Sequence, residues 1–105
     1  LELGGKSPVV IDADADVAMA AARTLTIKTF NAGQICISPD YLLLPHSAEA
    51  EFITASRQFM QQAFPALQSN EDYTAIISAR HYQRLIDLIE DARIKGARII
   101  SLAPA

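Results

Sequence analysis

Three consecutive β-branched residues, Val9, Val10 and Ile11, are closed off at once by Asp12, and this run constrains the fold more than any other. So short and so apolar a stretch is the pattern of a strand covered on both faces of a parallel sheet. Parallel neighbours need a crossover connection, which is usually a helix. The stretch from Asp12 to Asp16 supplies N-cap candidates whose carboxylates face the positive end of a following helix, predicted from Val17 to about Phe30. Within it Met19, Ala22, Ile27 and Phe30 recur near helical spacing and are the expected buried face. Asn31, Ala32 and Gly33 break it, because Asn and Gly tolerate positive φ at a helix end.

The same alternation repeats downstream. Tyr41 to Leu44 reads as a second strand ended by Pro45, and a helix capped by Ser47 is predicted to about Phe64, with Phe52, Ile53, Phe59, Met60 and Ala63 as its apolar stripe. Residues 68–73 are polar and read as an exposed loop. A third helix is predicted from Ser78 to Lys95 with Leu85, Ile86, Leu88, Ile89 and Ala92 on one side, Gly96 as its left-handed cap, and a strand over residues 98–102. Strand, helix, strand, helix, helix, strand with short connections predicts an α/β fold, a parallel-sheet layer with flanking helices.

Composition narrows the function. The chain has 105 residues, room for one domain, and 9 basic against 12 acidic side chains give a net charge of -3. No basic excess is available for the phosphate contacts that nucleic-acid binding needs. The apolar runs fall far short of the roughly 20 residues that span a bilayer, so no membrane segment is expected. A single cysteine and no export signal point to a reducing, cytoplasmic setting. The chain opens on Leu1 without an initiating Met and stops at Ala105 just after the last predicted strand, which reads as a piece of something longer.

Several motifs dissolve on inspection. Counting Asp12 as the first position of a calcium loop puts Val17 where Gly is needed and Arg23 where the closing Glu belongs. Gly4-Gly5-Lys6-Ser7 resembles the end of a phosphate-binding loop, but Pro8 and a strand follow where a helix should. His46 and His81 have no Cys or His partner at metal-ligand spacing, so no metal is expected.

Two features resist. Cys36 follows the Asn/Gly break at a place where a second short helical turn could carry it, and a thiol at a helix N-terminus has its thiolate stabilised. The alternative is a small buried apolar residue. Glu2 stands before Gly4 and Gly5, an acid where backbone can approach a ligand closely, against the alternative of a solvated carboxylate near a chain end.

Leu1-Glu2-Leu3-Gly4-Gly5-Lys6-Ser7-Pro8 resembles the glutamate signature of the aldehyde dehydrogenase superfamily, and Phe30-Asn31-Ala32-Gly33-Gln34-Ile35-Cys36 resembles its cysteine signature. Both stand in the family's order and at its usual spacing. Ser38-Pro39-Asp40-Tyr41, residues 76–85 and residues 91–98 are similar to the class 3 branch, and most of all to bacterial coniferyl aldehyde dehydrogenases.

The resemblance covers the whole chain and implies that residues 1–105 are a fragment of the aldehyde dehydrogenase catalytic domain. It further implies that Cys36 is the nucleophile and Glu2 the general base for thioester hydrolysis. Leu3 and Gly4 would lie near the nicotinamide of NAD or NADP, and the Cys36 N–H would donate to the oxyanion. A small-molecule aldehyde of aromatic, coniferyl type and a homo-oligomeric parent enzyme are implied as well. Ile35 departs from the Thr common in this branch, at a position that lines the substrate channel. Two other readings remain open from the residues: a non-catalytic α/β piece that self-associates through bare sheet edges, and a redox-sensing thiol module.

Overall fold

The computed structural model describes residues 4–104. Strand β1 (Ser7–Val10) leads through the Asp-rich turn into helix α1 (Val17–Lys28), a short 3-10 turn over Phe30–Gly33, strand β2 (Pro39–Leu43), helix α2 (Glu49–Ala63) and helix α3 (Ala79–Ile94). β1 and β2 pair in parallel, with Val9 opposite Leu42 and Val10 opposite Leu43, and the Ile11 N–H extends the pairing to the Leu43 carbonyl at 2.9 Å. This is the predicted unit, two parallel strands joined by a helical crossover.

Local chemistry sets the helix ends. Asp16 caps α1 by accepting from the Met19 N–H at 3.0 Å. Ser78 caps α3 by accepting from the His81 N–H at 3.2 Å. Gly96, at φ +93°, closes α3 in the expected way: its N–H reaches the Arg93 carbonyl and the Ala97 N–H reaches the Ala92 carbonyl, the paired bonds of a Schellman cap. At α2 the expectation differs from the outcome. Ser47 sits in a 3-10 turn over His46–Ala48, and the helix starts from Ala48 with no side-chain cap.

The core lies between α1 and α2, which pack along each other. The buried face of α1 is Val17, Ala21, Thr24 and Leu25, whereas Met19 and Phe30, expected inside, are 51% and 55% exposed. Small size decides this: fully buried Ala21 and Ser56 allow close approach of the two helices, with Met60 of α2 buried beside them. Ile11 is buried, so one face of the β1–β2 pair is covered, but Val10, Tyr41 and Leu43 are exposed on the other, contrary to a strand covered on both faces.

Helix α3 buries no residue, and Leu88 and Ile89 on its apolar side are exposed. Residues 98–102 were predicted as a third strand. Instead they join no sheet and run beside α2, with the Arg98 guanidinium paired to Glu49 and the Ser101 carbonyl accepting from Arg57 Nε at 3.2 Å.

Candidate active site

Cys36 sits between the 3-10 turn and β2, exposed to solvent with its thiol unpaired by any disulfide. The anticipated second helical turn is absent. A single reverse turn carries the cysteine, closed by the Ser38 N–H donating to the Ile35 carbonyl at 3.1 Å, so Cys36 does not itself begin a helix. Ahead of it Asn31, Ala32 and Gly33 all take left-handed backbone, at φ +50°, +56° and +77°. For Asn and Ala this costs about 1–2 kcal/mol each. Such local strain concentrates at functional sites because surrounding contacts must hold it.

Those contacts are visible. Asn31 and Gln34 brace one another: the Gln34 N–H and Gln34 Nε2 both donate to the Asn31 carbonyl, and Asn31 Nδ2 donates to the Gln34 carbonyl at 3.2 Å. The Gln34 amide also bonds to backbone at Ala75 and Ile77, which tethers the turn to the segment that leads into α3.

The other half of the site comes from the start of the chain. Gly5 lies so close to Cys36 that a Cβ built on it would meet the Cys36 carbonyl carbon at 3.0 Å and its Cα at 3.3 Å, with the carbonyl oxygen nearer still. Only a residue without a side chain allows that approach. Gly4, at φ +77°, has open space on the side where a Cβ would stand. Lys6, the next residue along, reaches Asp40 of β2 at 3.3 Å, an exposed pair that adds little energy but lies across the same junction. Thus the described residues of the first signature stand beside the cysteine turn at the entrance to β1 and β2. Glu2 and Leu3, the predicted base and cofactor contact, lie outside the described residues.

Gly4, Gly5 and Cys36 border a cleft of about 830 Å³ whose far wall is the apolar side of α3, including Leu85 and Leu88. Lys28, His81 and Arg84 also line it. His81 is exposed and borders this cleft. Among the described residues no group of three or more His, Cys, Asp and Glu side chains converges to hold a metal. No helix among the described residues is long and apolar enough to cross a membrane. Gln34 stands within the cysteine signature but has no role legible from sequence, because two of its partners, Ala75 and Ile77, lie more than forty positions away and carry no local signal.

Several known proteins are similar to this chain in sequence and fold. A coniferyl aldehyde dehydrogenase from Pseudomonas sp. (strain HR199 / DSM 7063) is 50% identical over 105 residues, all of this chain and 22% of that protein. The substrate-bound structure of Staphylococcus aureus AldH superposes with a TM-score of 0.82 at 36% identity, covering 89% of this chain and 20% of that one. A NAD-dependent benzaldehyde dehydrogenase from Corynebacterium glutamicum superposes with a TM-score of 0.76 at 27% identity, over 95% of this chain and 22% of that one. The chain thus spans about 22% of the length of the curated relative. The sequence profile of the aldehyde dehydrogenase family matches residues 1–103, and the chain belongs to that family.

Proposed function

We propose that residues 1–105 form the thiol-bearing part of the catalytic domain of an NAD(P)-dependent aldehyde dehydrogenase that oxidises an aromatic aldehyde of the coniferyl type. The observation that carries this reading is the packing of Gly5 on the Cys36 backbone, which sets the described glycines of the first signature beside the cysteine turn. Similarity to a coniferyl and a benzaldehyde dehydrogenase supports the aromatic substrate class.

In this reading the Cys36 thiolate attacks the aldehyde carbonyl carbon, forming a C–S bond and an alkoxide. The Cys36 N–H, for which no hydrogen bond is found among the described residues, would donate to that oxygen. Bound NAD(P)+ supplies a hydride acceptor, so that the carbonyl carbon is oxidised and a thioester on Cys36 remains. Glu2 takes a proton from water as the water attacks the thioester. The C–S bond breaks, the carboxylic acid leaves, and the thiol is restored. The open side of Gly4 beside the cleft suits a planar ring, and Leu3 and Gly4 would hold the nicotinamide there.

A full-length enzyme carrying Cys36→Ala should lose NADH production entirely. Turnover retained in that variant would reject the reading.

A further inference from the structure

We infer that Gln34 is a positioning residue for the Cys36 nucleophile, an inference that rests on the aldehyde dehydrogenase reading above. Gln34 stands two positions before the cysteine, and its carboxamide is nearly saturated. Nε2 donates to the Asn31 carbonyl at 2.8 Å and to the Ala75 carbonyl at 3.2 Å, while Oε1 accepts from the Ile77 N–H at 3.0 Å. Both amide hydrogens and one oxygen lone pair are therefore in use. The orientation of the amide is chemically determined, since the flipped form would set the oxygen against two carbonyls and the NH2 group against an N–H.

The first of these bonds holds the amide to its own turn, and the other two, to Ala75 and Ile77, join two pieces of backbone that no other hydrogen bond found among the described residues connects. One is the left-handed turn at Asn31–Gly33, whose backbone is strained at two non-glycine positions. The other is the extended segment 75–77, which Ser78 then anchors to α3 through its cap. Cys36 itself rides on an exposed turn closed by one backbone bond. A turn so lightly held wanders unless an outside group fixes it, and a nucleophile displaced by about 1 Å can lose about 100-fold in rate. The polar atoms of the Gln34 side chain are engaged with backbone at Asn31, Ala75 and Ile77, so it acts through the turn and not on the reacting atoms.

The test uses the full-length enzyme with two substitutions. Gln34→Ala removes all three bonds. Gln34→Glu keeps the shape and the acceptor for the Ile77 N–H, but sets an oxygen against the Asn31 and Ala75 carbonyls. Active sites are counted by stoichiometric alkylation of Cys36, and turnover of an aromatic aldehyde with NAD is expressed per titrated site. We expect kcat per site to fall at least about tenfold in both variants while the KM for NAD stays within about twofold. Wild-type kcat per site would overturn the inference, and so would a loss confined to the amount of folded, titratable enzyme, because that is what a purely structural role produces. Cys36→Ala runs alongside: turnover surviving it rejects the dehydrogenase reading itself, whereas its loss together with unaffected Gln34 variants rejects the positioning role alone.

Discussion

Gly5→Ala is the most searching single substitution in this chain. Gly5 is not among the glycines at positive φ, so the change adds one methyl group and no backbone penalty. That methyl would stand 3.0 Å from the Cys36 carbonyl carbon and 3.3 Å from its Cα. The Cys36 carbonyl oxygen would be nearer still, far inside the roughly 3.5 Å of ordinary contact, so the Cys36 turn must recede by about 1 Å or more. The obstacle is backbone, which cannot rotate aside like a side chain. Overpacking of this kind costs about 1–3 kcal/mol of stability. In the full-length enzyme the displaced nucleophile should lose about 10- to 100-fold in kcat per titrated site. The assay is NADH production from an aromatic aldehyde, normalised to alkylatable Cys36, with thermal denaturation run in parallel. Gly4→Ala is the contrasting variant: nothing lies within 4 Å of its Cβ, so the cost is the left-handed backbone, about 1–2 kcal/mol, and the kinetic effect belongs on the KM for NAD. A Gly5→Ala enzyme with wild-type kcat and unchanged stability would refute the close-packing argument and the juxtaposition built on it.

Other consequences are quickly checked. Ser56 is fully buried between α1 and α2 and its hydroxyl has no partner, so Ser56→Ala should raise the unfolding free energy by about 1 kcal/mol, measured by denaturant titration. Asp16→Ala removes the cap on α1 and should cost about 1 kcal/mol in the same titration; an unchanged midpoint would mean the cap adds nothing. The isolated 105-residue chain exposes Val10, Tyr41 and Leu43 on its sheet and Leu88 and Ile89 on α3. It should therefore self-associate with rising concentration in sedimentation velocity, and a monomer at every concentration would contradict this. The same isolated chain, about 22% of the length of the curated relative, should produce no NADH above a Cys36→Ala control.

What could be read in advance was whatever local chemistry decides. The first strand, found at Ser7–Val10 against the expected Val9–Ile11, a helix cap within the stretch Asp12 to Asp16, the start of the third helix near Ser78 and the Gly96 terminus each depend on residues within a turn or two, and each was legible to within a few positions. Tertiary choices were not legible. An alanine-rich helix offers several faces of similar apolarity, and packing against Ser56 and Met60 selected the small one at Ala21 over the bulky one at Met19. Residues 98–102 carry a strand-like composition, but Glu49 and Arg57 draw them to α2. At the site, Cys36 and the two glycines stood out because their types are chemically unusual in such a setting. Gln34 did not, since an amide becomes informative only when its distant partners are known.

The central claim is that Cys36 carries the acyl group during turnover. Intact-mass analysis of the full-length enzyme, quenched in acid while it turns over an aromatic aldehyde and NAD, tests it most directly. The account predicts a mass increase equal to the acyl group, mapped to the peptide containing Cys36 and absent from Cys36→Ala. NADH production in an enzyme that never accumulates such an adduct, and that survives Cys36→Ala, would contradict it.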